Sequence, residues 1–201
     1  MIYLSLGILI LIEGASLYWR RSFGNPSILK KFDLKKLTLA IFIFSIFLIF
    51  FLLFCQSYQQ FQAWSQNEVS KFLLPPYQSI NYFILYALAR FFAPYLISLA
   101  AALLFLLSAK TINKKYQERF FYPEEPYFGA LAIFLIGHPG WLIYVVFIVL
   151  AFLLIHLYSL LITHYSLQRI SLYHLWLPVA IFVIIISKWL GNLTLWQILK
   201  L

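Results

Sequence analysis

Two stretches of this chain, residues 37–55 and 141–162, run for about a membrane's depth without an Asp, Glu, Lys or Arg. A bilayer core is roughly 30 Å thick and an α-helix rises about 1.5 Å per residue, so about 20 apolar residues are enough to cross it. In lipid every backbone N–H and C=O must be satisfied within the segment, so such runs are expected to be helical. The rest of the chain agrees, since 64% of its 201 residues are apolar and only 10% are charged, too few to coat a soluble globule. The expected fold class is all-α: a polytopic transmembrane helical bundle of one domain covering residues 1–201. A formal charge of +9 would suggest nucleic acid in a soluble chain. Here it marks loops on the cytoplasmic side, so the expected partner is the lipid bilayer and not nucleic acid.

Six spans are expected, at about 2–19, 37–55, 81–108, 121–136, 141–162 and 174–190. The first has no charged leading region and no small-residue cleavage site, so it reads as a retained helix rather than a signal peptide. Pro94 is placed to kink the third. The fourth is short, and its apolar core, 126–136, covers only part of a bilayer. Gly137-His138-Pro139-Gly140 then reads as a tight turn. Of the 15 Lys and Arg, 11 fall between spans one and two, three and four, or five and six. Basic residues collect in cytoplasmic loops, which orients those loops inward, both termini outward, and makes the Gln-rich segment 56–78 an external loop. No internal repeat is present, and the breaks at Pro94 and Pro178 have unlike surroundings, which argues against an inverted-repeat transporter.

Ionisable groups within a span are costly and therefore candidates for function. Glu13, Arg90 and His156 are the intramembrane polar residues. Counted from the outer ends of their spans, Glu13 and Arg90 lie at a similar depth, roughly 14 to 16 Å by the helical rise. They can pair, or Glu13 can reach toward Arg20 or Arg21 while Arg90 lines a wet crevice. His156 reads as a hydrogen-bonded packing residue. Tyr122-Pro123-Glu124-Glu125-Pro126-Tyr127 is the densest polar cluster at a membrane boundary. Prolines and acids suit the first turn of a helix, where the missing N–H is harmless and the carboxylate faces the positive end of the dipole. A partly desolvated carboxylate there is also suited to act as an acid or base. A single cysteine, Cys55, and four scattered histidines exclude a disulfide scaffold and a Cys-rich metal site. No cofactor and no metal is expected. The aromatic residues near span ends, among them Tyr18, Trp19, Tyr77, Tyr82, Trp141, Trp189 and Trp196, read as an interfacial belt.

The segment Glu124-Glu125-Pro126-Tyr127-Phe128-Gly129-Ala130-Leu131-Ala132-Ile133-Phe134-Leu135-Ile136-Gly137-His138-Pro139-Gly140 resembles the part of type IV prepilin peptidases that begins G-x-G-D, continues as a short apolar helix and turns at a Gly-Trp-Pro-Gly-like step. Arg169 to Pro178 is similar to that family's approach to its last span, the tail 191–201 to its closing Gly-rich segment, and 7–21 to its first helix. Together these cover about half of the chain, mostly by apolar pattern. The resemblance implies a shared membrane scaffold in the cell inner (plasma) membrane and, for an active member, intramembrane aspartic endopeptidase chemistry. The G-x-G-D aspartate falls on Glu125, the one candidate catalytic residue, with Pro123 and Glu124 where glycines stand. No Asp-x-x-x-x-Ile-Pro pattern occurs, the only aspartate is Asp33, and the family's paired Cys-x-x-Cys motifs are absent. The resemblance therefore implies a pseudoenzyme accessory to type IV pilus assembly or secretion, with pilin-like proteins or assembly components as partners. Two alternatives stay open: an active divergent peptidase using Glu125, and a structural subunit of an unrelated membrane complex.

Overall fold

A computed structural model of the chain describes residues 2–21, 34–117, 121–162, 175–192 and 196, with the side chains of 19–21, 159–162 and 188 left aside. The fold is all-α. Six helices make up the described residues: α1 (Ile2–Arg21), α2 (Leu34–Gln66), α3 (Ile80–Lys115), α4 (Glu125–Ile136), α5 (Gly140–Ile162) and α6 (Trp176–Leu190). Of these α2, α3 and residues 140–158 of α5 are long and apolar enough to cross a membrane. The architecture is that of an integral membrane protein.

Each outer helix turns one narrow stripe inward and leaves the rest of its apolar surface outside. On α2 the stripe is Leu34, Thr38, Phe42, Ser45, Ile49, Leu53 and Ser57, recurring every three or four residues as a helix face must. On the lower part of α3 it is Ser98, Ala102, Leu106, Ala109 and Asn113. Exposed large side chains such as Phe44, Phe47, Phe54 and Leu104 cover the opposite faces. Small residues recur in both stripes, as Thr38, Ser45 and Ser57 on α2 and Ser98, Ala102 and Ala109 on α3, where they allow the close backbone approach through which helices associate in lipid. The hydroxyls there are satisfied locally. Thr38, Ser45 and Ser57 each donate to the carbonyl four residues back, at 2.7 to 2.9 Å.

Both α2 and α3 outrun their apolar cores. At about 1.5 Å per residue, 33 and 36 residues are roughly 50 and 54 Å long, well beyond a 30 Å core. The expectation of a loop over 56–78 is corrected accordingly. The helix continues to Gln66, a 3-10 turn follows at Ser70–Leu73, and α3 starts at Ile80. What holds this hairpin together is aromatic contact: Phe61 and Trp64 meet the Phe83 ring edge-on at 5.2 and 5.5 Å, and Trp64 lies 4.7 Å from Tyr86. Leu74, Phe83 and Ala87 form a second small core beneath them.

Pro94 acts on α3 as its chemistry requires. It has no N–H to give the carbonyl four residues back, and the ladder relaxes just before it into a π-helical turn, Leu88–Phe92, in which the Ala93 N–H reaches the Leu88 carbonyl. At this turn α2 and α3 touch, with the Phe50 and Phe92 rings 6.1 Å apart. Below it α4 comes between them. Phe42 of α2 and Tyr95 of α3 both approach Phe134 of α4 edge-on, at 5.9 and 6.3 Å.

The short helix is the axis of the molecule. Every residue of α4 from Glu125 to Leu135 is buried, walled chiefly by α3 and α6, with α2, α5 and α1 contributing. Its 12 residues are about 18 Å long, too short to cross alone. Gly129 shows how close the walls are: a Cβ there would sit 2.5 Å from the Phe105 ring and 2.9 Å from that of Trp176. Gly137 ends the helix at φ +77°, a conformation that suits glycine, and α5 turns back from it. At the start of α6, the wholly buried Tyr144 of α5 donates its hydroxyl hydrogen to the Trp176 carbonyl at 3.0 Å.

Candidate functional site

The site lies where α4 begins. Residues 121–124 form the turn that leads into it, so the helix starts four residues later than the expected span 121–136. Glu125 donates its N–H to the Tyr122 carbonyl at 3.1 Å, and the Tyr127 and Phe128 N–H groups bond the Glu124 carbonyl at 3.0 and 3.2 Å. Pro126 sits in the first turn, where its missing N–H costs nothing. The turn is clamped from α3. Asn113 Nδ2 donates to the Phe121 carbonyl at 2.9 Å, and the Phe121 N–H donates to Asn113 Oδ1 at 3.0 Å. One amide thus satisfies both backbone groups of the residue that delivers the chain to the core.

Glu125 is 0% exposed. Removing a carboxylate from water is expensive unless hydrogen bonds or charges compensate it, and the helix N-terminus, with its unpaired N–H groups and positive dipole end, is the favourable place for one. Glu124, the N-cap, is half-buried and makes no side-chain cap bond. Around this end stand Trp176, 5.4 Å from Phe105 and 6.3 Å from Phe121, and Tyr127, which is 5% exposed. The Tyr127 ring takes a cation from each neighbouring helix: Lys110 Nζ of α3 lies 4.5 Å from its centroid and Lys35 Nζ of α2 lies 5.8 Å from it.

The structure distributes the other sequence candidates elsewhere. Arg90 is exposed, and no ion pair is formed by it among the described residues, so the pairing with Glu13 is not made. The reason is packing: Arg90 stands exposed on the π-helical turn of α3, whereas α1 packs chiefly against α6. Glu13 is half-buried on α1, where its carbonyl accepts from the Ser16 hydroxyl at 2.9 Å. His156 is exposed on the outer face of α5, stacked on Phe152 at 6.1 Å, and is not packed inside the bundle as the sequence suggested. Asp33, Glu118, Arg169 and His174 lie outside the described residues. No group of three His, Cys, Asp or Glu suited to a metal occurs among the described residues.

From the sequence Glu125 stands out as a site residue, Tyr127, Lys35 and Lys110 only as members of the polar cluster and the basic loops, and Asn113 and Trp176 not at all. Asn113 carried a signal: it falls four residues after Ala109 and seven after Leu106, on the stripe that α3 buries. Trp176 is one of six tryptophans and nothing in its spacing set it apart.

No family model, curated protein or solved structure matches this chain.

Proposed function

We propose that the chain is a catalytically degenerate relative of the type IV prepilin peptidase scaffold, a multi-pass inner-membrane pseudoenzyme accessory to pilus assembly or secretion. Its basic loops face the cytoplasm. One observation carries the choice against an active divergent peptidase: Glu125, the residue aligned with the G-x-G-D aspartate, is wholly buried on a helix that is itself enclosed. Aspartic proteolysis needs two carboxylates sharing a proton, with water and a scissile carbonyl between them. A carboxylate without solvent exposure is a packed helix-start residue and offers neither. The retained features are scaffold features: the short central helix, the Gly-His-Pro-Gly turn after it, and the long helix that returns.

The test is reconstitution of the purified chain in liposomes with a prepilin substrate, alongside a co-purification of the chain from its own membranes. The expected result is no leader cleavage, together with recovery of pilin-like or assembly proteins. Leader cleavage that Glu125→Gln abolishes would overturn this reading and install the active divergent peptidase. Recovery of an unrelated membrane complex would instead install the structural-subunit reading.

A further inference from the structure

We propose that the Lys35–Tyr127–Lys110 cluster is a binding site for an anionic phospholipid of the leaflet that the lysine end of the bundle faces. Two observations carry it, one for each part of such a molecule.

The headgroup part is the lysine pair. Lys35 and Lys110 belong to different helices, yet both ammonium groups gather at one tyrosine ring, at 5.8 and 4.5 Å from its centroid, so their separation cannot exceed the sum of those distances. Both side chains are exposed. Like charges brought together in this way repel, and a phosphodiester between them removes the repulsion while accepting hydrogen bonds from both. Of the two acids nearest in sequence to Tyr127, Glu125 is sealed inside and Glu124 is half-buried, whereas both lysines are exposed. Tyr127 is held at the first turn of the enclosed helix and cannot move aside. The site is therefore anchored on a fixed ring, with two flexible cationic arms.

The acyl part is the surface above. From Lys35 an exposed apolar ridge climbs α2 at steps of four residues through Leu39 and Ile43. From Lys110 a second climbs α3 through Leu107 and Leu103. Each ridge starts at a lysine and continues on the same face of its helix, as the three- and four-residue spacing dictates. A soluble phosphate would use the lysines and ignore these ridges. A diacyl phospholipid uses both, which is why the lipid is the occupant proposed. The inference needs only that the bundle is embedded, and it stands or falls separately from the pilus reading.

The experiment is native mass spectrometry of the purified full chain in a neutral detergent with phosphatidylglycerol or phosphatidylcholine of the same acyl composition. The expected result is preferential retention of phosphatidylglycerol, of about fivefold for each lysine and about twenty-five-fold for the pair if each contributes what a juxtamembrane lysine usually does. In Lys35→Gln/Lys110→Gln the preference falls to near one. In Lys114→Gln/Lys115→Gln, which removes the same charge from the same end of α3, it is retained. Lys35→Arg/Lys110→Arg keeps it too, and guards against misreading a folding defect, with circular dichroism and elution volume checked for every variant. Equal loss in both glutamine pairs would mean unspecific charge attraction and would overturn the site. So would equal retention of the two lipids by the native chain. Displacement by millimolar inorganic phosphate or by glycerophosphoglycerol as effective as by the intact lipid would overturn the lipid as occupant.

Discussion

Replacing Gly129 by alanine adds a single methyl group at the tightest place in the molecule, and the sign of its effect is diagnostic. In a helix interior alanine is favoured over glycine by about 1 kcal/mol, so a Gly→Ala change in open space stabilises. Gly7 of α1 is such a site, with no atom within 4 Å of its would-be Cβ. At Gly129 the same methyl meets Phe105 at 2.5 Å and Trp176 at 2.9 Å, distances at which something must shift. Overpacking of this kind costs about 1 to 3 kcal/mol. With two rings to displace, Gly129→Ala is expected to lose about 1 to 2 kcal/mol net of the helix gain, whereas Gly7→Ala gains up to about 1 kcal/mol. The measurement is reversible unfolding in dodecyl sulfate and maltoside mixed micelles, followed by tryptophan fluorescence and circular dichroism. Phe105→Leu should cost stability by itself but restore part of the loss when combined with Gly129→Ala, because contacting residues couple. If Gly129→Ala stabilises the protein as Gly7→Ala does, α4 is not wedged between α3 and α6 and the description of the core is wrong.

Two further outcomes can be checked with the same preparations. Asn113→Ala strands both the N–H and the C=O of Phe121 and is expected to cost about 2 kcal/mol in the unfolding assay, with faster proteolysis near residues 116–122; unchanged stability and unchanged cleavage would mean the clamp carries nothing. For the orientation, single cysteines replacing Lys114 and Lys71 in a Cys55→Ser background are expected to react from opposite sides, only the one at position 71 being labelled on intact cells by an impermeant maleimide. Labelling at position 114 from outside would reverse the proposed topology.

The helices were legible because apolar runs have no other use in a bilayer. The expected spans 2–19, 141–162 and 174–190 end within two residues of α1, α5 and α6. The runs understated α2 and α3, since hydropathy marks where lipid is and not where a helix stops. Gln56 to Gln66 stay helical in a polar stretch because Phe61 and Trp64 find Phe83 and Tyr86 across the hairpin, a pairing between residues about 20 apart that no local pattern displays. Hydropathy likewise says nothing about whether Glu13 meets Arg90, because that depends on α1 packing chiefly against α6. Glu125 was legible as a helix-start acid next to prolines. Its complete enclosure was not, because burial of α4 on every side depends on how five other helices converge, and an apolar 12-mer looks the same whether lipid or protein surrounds it. Lys35 and Lys110 read as ordinary positive-inside residues, and only the convergence of their side chains on Tyr127 of α4 distinguishes them.

The enclosure of α4 also dictates an order of assembly. A helix of about 18 Å cannot settle across a bilayer by itself, and at Gly137 the chain turns back from it into α5. One of its main walls, α6, is synthesised after it. Until α6 arrives, the face of α4 that carries Gly129 has no Trp176 to lean on. The half-made protein therefore passes through a stage in which its most deeply buried residues are its least protected. That interval is when a membrane chaperone would gain most by holding the chain, and when a quality-control protease could most easily tell a finished molecule from an unfinished one.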